Sequence, residues 1–432
     1  MSKLSLLILI LLFVSSCSSI KKKEFWSSKK SKGEKIENIV TILTKKAKDE
    51  KEFNSSLEIK ISARNFNKNF KNNQNNTGEA PYEGVLQKIG NYKFSKFKDF
   101  DQIDVQPIFY NENLIFSDNK GTIIYYDQNQ KKIWKKNFYN KSEKRLKPRL
   151  NFARKENILI VTDDVAKYYA MNIENGDIIW TKNNIVPFNS EIKIKGDFFY
   201  TVDYKNILRS ISIKDGTEQW NFKTEESLTK SNTKISVVIK NDNIYFNNSI
   251  GDITAVNLKS GQLVWQLPTQ SNNISKNAFQ LSNSKLVINA ESILFSNNKN
   301  EFYSIDTTTG LINWKNKINS NLRPIIVGTF VVTISNKGFL YIIDNKTGNI
   351  IRINDLFKDY NIKKRKDVFS TGFLVARNKV YLSNNKGKLI IANLNTGNVK
   401  NIIKISRDKI SEPYFYENNI FIIQNSSIIR FN

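Results

Sequence analysis

The chain has 432 residues, of which 40% are hydrophobic and 12% aromatic, and its formal net charge is +27. It contains no histidine, which excludes a His-based catalytic triad and a His-ligated zinc site. Its single cysteine excludes an intramolecular disulfide. A basic chain can bind nucleic acid or anionic lipid, but these basic residues are scattered rather than gathered in a stripe, so we do not expect nucleic-acid binding.

Residues 1–16 have the pattern of an export signal. Lys3 precedes an apolar run at residues 4–14, which is too short to span a bilayer comfortably and is typical of a signal peptide. Residues 14–17, Val-Ser-Ser-Cys, resemble the lipobox of bacterial lipoproteins, and the resemblance implies lipidation (palmitate among the acyl chains) of Cys17 as the first mature residue. Ser18 implies, by the same resemblance, sorting to the outer membrane. The alternative is an ordinary signal peptide with an incidental cysteine.

Residues 17–56 are predicted to form a lipidated, flexible basic tether. Its three lysines at 21–23 would meet anionic head groups at about 1 kcal/mol each. Apolar residues at 36, 39, 40, 43 and 47 would share one face of a short helix. Residues 57–61 alternate like a strand, and residues 65–78, mostly Asn and Lys, are expected to be a solvated loop. We assign residues 57–432 to the folded domain.

One pattern then recurs: a strand-like run, a turn containing Gly, and a Trp four positions after the Gly. The four good copies pair Gly176 with Trp180, Gly216 with Trp220, Gly261 with Trp265, and Gly310 with Trp314. Weaker copies are Trp134, which lacks the Gly, and Gly348 and Gly397, which are followed by Arg352 and Asn401 instead of Trp. Successive tryptophans are 40 to 49 residues apart, a period typical of a β-propeller.

The composition of the repeat suits the blade of a propeller. Strands rich in Ile, Val, Tyr and Phe fit a pleated, half-buried surface, and Gly permits tight turns. A single four-stranded sheet cannot bury both its faces, so blades must stack around an axis. The repeat tryptophans are predicted to dock each blade on its neighbour: Trp134, Trp180, Trp220, Trp265 and Trp314. The outline A-x-D-x-x-T-G-x-x-x-W resembles the repeat of the PQQ-type propellers, over residues 108–401.

The turn signals count seven blades, and the chain continues beyond them. Three more short strands follow, at residues 413–416, 419–423 and 427–431, but no repeat Trp comes after them. We predict that residues 92–97 supply the missing outer strand, so that both ends of the chain build the last blade and close the ring. The predicted fold is therefore all-β, an eight-bladed propeller of PQQ-like repeats, with seven blades as the alternative.

Two basic clusters are candidate contacts for an acidic partner or a lipid surface, although solvated loops are the commoner explanation. The first follows Trp134 and consists of Lys141, Lys144, Arg145, Lys147 and Arg149. The second follows the sixth blade and consists of Lys363, Lys364, Arg365 and Lys366.

The sequence offers little for catalysis. Asp163 and Asp164 form its one conspicuous carboxylate pair, and we expect them in a hairpin turn of the second blade. The quinoprotein dehydrogenases that share the repeat carry a Ca²⁺ site, a catalytic Asp and often an adjacent Cys pair, whereas the only cysteine here is Cys17. We therefore predict a protein that is not an enzyme and has no metal and no cofactor.

A lipidated propeller of this type resembles the BamB family of the outer-membrane β-barrel assembly machinery. The resemblance implies a periplasm-facing scaffold of a Gram-negative outer membrane, monomeric as a propeller, which binds the POTRA domains of the barrel insertase and associated assembly lipoproteins. That family makes its contact through a Leu-x-Leu-Arg element before the third blade and an acidic pair before the fourth. Residues 186–195 and 228–232 lack both, so no contact residue carries over. The alternative is a periplasmic quinone- or sugar-binding propeller related to PQQ-dependent dehydrogenases.

Overall fold

In the computed structural model, eight sheets form the blades of one ring. The structure describes residues 59, 76, 79–97, 100, 106–225, 233–269, 281–289 and 291–432. First strands of consecutive blades contact each other, which places them on the inside of the ring. The predicted eight-bladed, all-β propeller is thus confirmed, and the alternative of seven blades is wrong.

Two strands, β1 (Glu79–Ala80) and β2 (Lys88–Lys93), precede the first blade. Blade 1 contains β3 (Ile108–Tyr110), β4 (Asn113–Ser117), β5 (Ile123–Tyr126) and β6 (Lys132–Lys136). Blade 2 contains β7 (Leu150–Lys155), β8 (Ile158–Asp163), β9 (Lys167–Asn172) and β10 (Ile178–Asn183). Blade 3 contains β11 (Lys193–Lys195), β12 (Phe198–Val202), β13 (Ile207–Ser212) and β14 (Glu218–Lys223). Blade 4 contains β15 (Val237–Lys240), β16 (Asn243–Asn247), β17 (Ile253–Asn257) and β18 (Leu263–Leu267).

Blade 5 contains β19 (Val287–Ile288), β20 (Ser292–Asn297), β21 (Glu301–Asp306) and β22 (Ile312–Asn316). Blade 6 contains β23 (Ile325–Val327), β24 (Phe330–Ile334), β25 (Phe339–Asp344) and β26 (Ile350–Asp355). Blade 7 contains β27 (Ser370–Ala376), β28 (Lys379–Asn384), β29 (Lys388–Asn393) and β30 (Val399–Lys404). Blade 8 begins with β31 (Tyr414–Tyr416), β32 (Asn419–Gln424) and β33 (Ser427–Phe431).

The burial of the strands follows their position in the blade. Middle strands lie between two neighbouring blades, so both their faces are covered; all six residues of β20 are buried. The outermost strand β14 instead alternates between exposed and half-buried residues, because one of its faces meets water. Because both faces of the middle strands are covered, the sequences of these strands are nearly continuous apolar runs.

The last blade is built from both ends of the chain, as predicted. Strand β2 pairs antiparallel with β33, from Lys88 opposite Phe431 to Lys93 opposite Ser427. The predicted bounds of residues 92–97 are wrong, because Phe94 and Phe97 lie beyond the strand. Their rings both pack on Phe116 of blade 1, so the aromatic alternation that suggested a strand reflects packing between blades.

Strand β1 is an addition that the sequence did not predict. It pairs in parallel with β27, with Ala80 opposite Ala376, and also contacts β23. Blade 7 therefore has a fifth strand on its inner edge. Residues 57–61 were predicted to form another strand, but they lie outside the described residues except for Ile59, which is buried and not in a strand.

Both basic clusters contain a short helix where we expected only loop. Helix α1 (Lys141–Arg145) begins at Asn140, whose side chain accepts from the backbone of Ser142 and Glu143 while Glu143 caps in return. Helix α2 (Ile362–Arg365) begins at Asn361 in a similar way. Neither described helix has the length or apolar character that crossing a membrane demands.

Candidate interaction face and central channel

One face of the ring carries the connections between blades. A meander of four antiparallel strands brings the chain out of a blade on the side where it entered, so all these connections share a face. The turns between second and third strands lie there too. We call it the connection face. The turns between third and fourth strands, which carry the repeat Gly, lie on the opposite face.

The repeat tryptophans lie at the joints between blades. Each indole Nε1 donates to a backbone carbonyl in a Gly-containing turn of the next blade: Trp134 to Ile173 (2.8 Å), Trp180 to Ile213 (2.8 Å), Trp220 to Leu258 (3.0 Å), Trp265 to Thr307 (3.1 Å) and Trp314 to Asn345 (2.9 Å). The ring covers the Gly itself. A Cβ on Gly348, at φ +75°, would come within 2.5 Å of Trp314. The spacing of Gly and Trp is therefore set by contact between consecutive blades.

The two copies without Trp behave differently from each other. Arg352 is buried, and its Nη1 donates to the carbonyl of Asn395 in the turn of blade 7. It therefore makes the tryptophan's hydrogen bond. Asn401 only accepts from the adjacent amide of Ile402. At the joint between blades 8 and 1, which closes the ring, the hydroxyl of Tyr92 on β2 lies 3.5 Å from the carbonyl of Gln128. Gln128 belongs to the corresponding turn of blade 1.

The first basic cluster lies on the connection face between blades 1 and 2. Lys141, Arg145, Lys147 and Arg149 are exposed and Lys144 is half-buried. Glu143 within the cluster pairs with Lys167 at 2.9 Å, and the hydrogen bond from Lys167 lowers the pKa of Glu143. Leu146 exposes 67% of its surface among these charges. The cluster thus presents an aliphatic side chain surrounded by cations.

Asp163 and Asp164 lie at the predicted hairpin turn between β8 and β9. They hydrogen-bond to two of the connections between blades. Asp163 accepts from the hydroxyl of Tyr139, and its own backbone carbonyl accepts from the amide of Phe188 at 3.0 Å. Tyr139 precedes the first cluster and Phe188 belongs to the next connection. Burial raises the pKa of Asp163 to about 6. Asp164 accepts from the backbone of Arg149 at 2.8 Å, so both carboxylates are engaged in holding loops.

The second basic cluster lies on the same face between blades 6 and 7. Arg365 pairs with Asp355 at 2.6 Å and lies over the ring of Phe339, so it holds the connection in place. Lys363, Lys364 and Lys366 remain exposed. Blades 7, 8 and 1 separate the two clusters along the shorter arc of the ring. The structure therefore does not bring them together into one surface.

Residues 186–195, the stretch before the third blade, are mostly inside the protein. Phe188, Ile192 and Lys193 are buried. The exposed apolar residue of this connection is Ile185, at 95%. Our sequence reasoning missed it, although a lone aliphatic residue in a polar connection was the available signal. Residues 228–232 lie outside the described residues.

Asn76 occupies the centre of the ring, so the prediction of a solvated loop at residues 65–78 is wrong for this residue; the other residues of that stretch lie outside the described residues. Its exposed fraction is only 3%. Its Nδ2 donates to the carbonyl of Leu286 at 2.9 Å and to Glu191 at 3.2 Å, and its Oδ1 accepts from Lys193 at 2.6 Å. Arg323 donates to its backbone carbonyl at 3.0 Å. These partners stand at the beginnings of the inner strands of blades 3, 5 and 6, so one residue links distant blades through its side-chain amide and its backbone carbonyl.

The charges around Asn76 are paired. Lys193 lies 3.0 Å from Glu191, which also accepts from Ser236 at 2.9 Å. Burial lowers the pKa of Lys193, against the effect of Glu191. Burial alone would raise the pKa of Glu191, but Lys193 and Lys285 hold it below its ordinary value. Across the channel Lys285 lies 3.5 Å from Glu412 of blade 8.

The described residues contain no group of three or more Cys, Asp or Glu side chains that could hold a metal ion. The conspicuous polar groups of the ring serve its own turns, joints and central network. The connection face carries the exposed aliphatic side chains Leu146, Ile185 and Ile362.

Comparison with known proteins identifies the family. The family model described as "Outer membrane protein assembly factor BamB" matches residues 119–354, more than half of the chain. The chain belongs to the BamB family. The BamB of Shewanella oneidensis is 21% identical over 259 residues, which cover 55% of this chain and 59% of that protein. The chain thus matches a little over half the length of this curated relative.

Solved structures show the same fold at low sequence identity. The crystal structure of BamB from Moraxella catarrhalis has a TM-score of 0.65 at 13% identity, covering 81% of this chain and all of that one. The quinohemoprotein alcohol dehydrogenase from Comamonas testosteroni has a TM-score of 0.56 at 11% identity, covering 80% of this chain and 76% of that one. Both similarities concern the propeller alone.

Proposed function

We propose that this protein is a non-catalytic lipoprotein scaffold of the outer-membrane β-barrel assembly machinery, and that it binds the periplasmic domains of the barrel insertase. The observation that carries the proposal is the match of residues 119–354 to the BamB family. Associated assembly lipoproteins are further partners in this proposal.

The connection face is the surface that we assign to the partner. Ile185 and Leu146 protrude from neighbouring connections on either side of the turn formed by Asp163 and Asp164. Because that turn is hydrogen-bonded to both connections, it holds the two side chains on a fixed support. Exposed aliphatic side chains within a charged rim are typical of protein interfaces.

We further propose that the protein faces the periplasm of a Gram-negative bacterium and is anchored in the outer membrane. The lipobox-like segment ending at Cys17 supports the anchor, and the BamB family supports the membrane. In this proposal residues 1–16 are removed as a signal peptide and residues 17–56 connect the lipid to the propeller.

The alternative of a quinone- or sugar-binding propeller, possessing dehydrogenase-like activity, has weaker support. The likeness to the quinohemoprotein alcohol dehydrogenase extends to the fold alone. At the centre of the ring, Asn76 takes up donors and acceptors that a ligand there would need. Titration with PQQ and Ca²⁺, followed by a dye-linked oxidation assay, tests the alternative directly.

The lipid anchor can be tested at its proposed site. Cys17→Ser is expected to abolish lipidation and to release the protein from the membrane into the soluble periplasmic fraction, because no thiol remains to carry the acyl chains. Ser19→Ala is the matched control and is expected to stay in the outer membrane. Fractionation with metabolic labelling by palmitate gives the readout. Outer-membrane fractionation of the Cys17 variant would refute the anchor.

The contact with the insertase can be tested at Ile185. A buried charge at an interface costs affinity, so Ile185→Asp is expected to weaken capture of the insertase's periplasmic domains by roughly tenfold or more. Ile179→Asp changes an exposed isoleucine on outer strand β10, away from the connection face, and is expected to bind normally. Equal binding by both variants would exclude Ile185 from the contact, and no capture by the unaltered protein would reject the proposed function.

A further inference from the structure

The connection between blades 6 and 7 forms a second exposed surface, which we call the lysine patch. It consists of Ile362, Lys363, Lys364, Lys366 and Phe369, together with Lys337 from the turn between β24 and β25. Ile362 exposes 82% of its surface and Phe369 exposes 42%. Lys337 lies 4.2 Å from the centre of the Phe369 ring and donates to the carbonyl of Lys366 at 3.3 Å. Helix and turn are therefore joined into one surface.

The net charge of the lysine patch is positive after its acids are counted. Asp355 is paired with Arg365, which removes both from the balance. Asp359 and Asp367 are exposed nearby, against the exposed lysines at 337, 358, 363, 364 and 366. Exposed aliphatic and aromatic side chains within a ring of lysines match the boundary between lipid head groups and acyl chains. An anionic bilayer satisfies both features at once.

Ile59 joins the ring between the two blades that carry this patch. Ile59 belongs to the buried cluster between blades 6 and 7 that also contains Leu356, Phe357 and Val368. Those residues flank α2 on both sides along the chain. The stretch from Cys17 to Ile59 covers 42 residues and can span at most about 150 Å. A tether of that length does not by itself fix the orientation of the propeller on the membrane. A surface contact near the point where the tether joins the ring would fix that orientation.

We propose that the lysine patch is a membrane-contact element, which seats the blade 6 and 7 side of the connection face on the anionic lipid surface that carries the anchor. The proposal rests on the proposed anchoring of this protein at a membrane. It leaves Leu146, three blades away, and Ile185, four blades away, free for a protein partner.

The test uses full-length mature protein with Cys17→Ser, so that vesicle binding is measured without an acyl chain. Vesicles of phosphatidylethanolamine with phosphatidylglycerol are compared with vesicles of phosphatidylcholine by co-sedimentation. The patch variant combines Lys363→Glu, Lys364→Glu and Lys366→Glu. The matched control combines Lys214→Glu, Lys259→Glu and Lys346→Glu, three exposed lysines in turns on the opposite face, and so changes the net charge equally.

The unaltered chain and the control are expected to bind the anionic vesicles, more weakly as salt increases, while the patch variant loses roughly tenfold or more in partitioning. Ile362→Ser is expected to weaken binding at high salt as well, since it removes apolar contact. Equal loss in patch and control variants would mean that general charge alone attracts the lipid, and would overturn the proposal. Two other results would also overturn the proposal. One is that the unaltered chain binds no vesicles, and the other is that the patch variant binds vesicles normally but fails to capture an acidic partner protein. Because neither the lipid anchor nor the insertase enters this assay, its failure is distinguishable from failure of the proposed function.

Discussion

Deleting residues 18–97 is expected to prevent the ring from closing, whereas deleting residues 18–56 should leave a folded propeller. The longer deletion removes β2, and with it the pairing that covers β33 from Ser427 to Phe431. It also removes Tyr92, Phe94 and Phe97, whose rings fill the space between blades 8 and 1. Buried backbone groups left unpaired cost about 1–3 kcal/mol each. Several such groups together cost an amount comparable to the 5–15 kcal/mol that typically holds a domain together.

A third truncation distinguishes the contribution of ring closure by β2 to stability from the contribution of the central network around Asn76. Deleting residues 18–78 removes Ile59 and Asn76 but keeps β1 and β2. It leaves the pair of Glu191 and Lys193 without the residue that joins them to blades 5 and 6, so we expect intermediate stability. Thermal unfolding followed by circular dichroism ranks the three proteins. Equal melting of the 18–56 and 18–97 deletions would show that β2 does not hold the ring shut.

Trp314→Ala is expected to destabilise the ring by about 3–5 kcal/mol, the usual cost of removing a large buried ring. Trp314 is 8% exposed, donates to Asn345 and packs on Gly348. Gly348→Ala should also destabilise, both through its positive φ, at about 1–2 kcal/mol, and through collision with the indole. Val264→Ala, at an exposed position of outer strand β18, is the control and is expected to have little effect.

The double variant shows whether tryptophan and glycine act as one joint. Without the indole, the added methyl group of Gly348→Ala has room, so only its backbone cost should remain. The combined loss is therefore expected to be smaller than the sum of the single losses, by about 0.5–3 kcal/mol. Urea unfolding of the four proteins measures this difference. Strictly additive losses would show that Trp314 and Gly348 do not interact energetically, and that the recurring spacing of Gly and Trp has no energetic basis in their contact.

The repeated features of this fold were predictable because each repeat places the same residue types at the same turn and joint. Gly310 marks a turn with positive φ, and Trp265 four residues after the previous Gly covers it from the preceding blade. Counting these signals gave seven blades, and the strands that follow the last signal gave the eighth. Arg352, which stands at a tryptophan position, showed that the hydrogen bond to the next turn can persist without the indole.

The central network was unpredictable for the opposite reason. Asn76 sits in a tract of Asn and Lys, which by composition reads as solvated, and its partners come from blades that are far away in sequence. Strand β1 has two residues, too few to show alternation. Ile185 and Leu146 were overlooked because hydrophobic periodicity identifies buried residues, and these two belong to no periodic run.

Long-range contacts made by Asn76 and β2 constrain the order in which the ring folds. Asn76 and Arg323 are 247 positions apart, and Lys88 pairs with Phe431 at the end of the chain. Contacts between such distant positions form slowly, because a long loop must be closed before they stabilise anything. Because synthesis begins at the N-terminus, the segment with Asn76 and β2 is made first and its contacts are completed last. The central network must wait for Arg323 of the sixth blade, and β2 must wait for β33 of the eighth, so the N-terminal contacts are completed only when most of the ring is present.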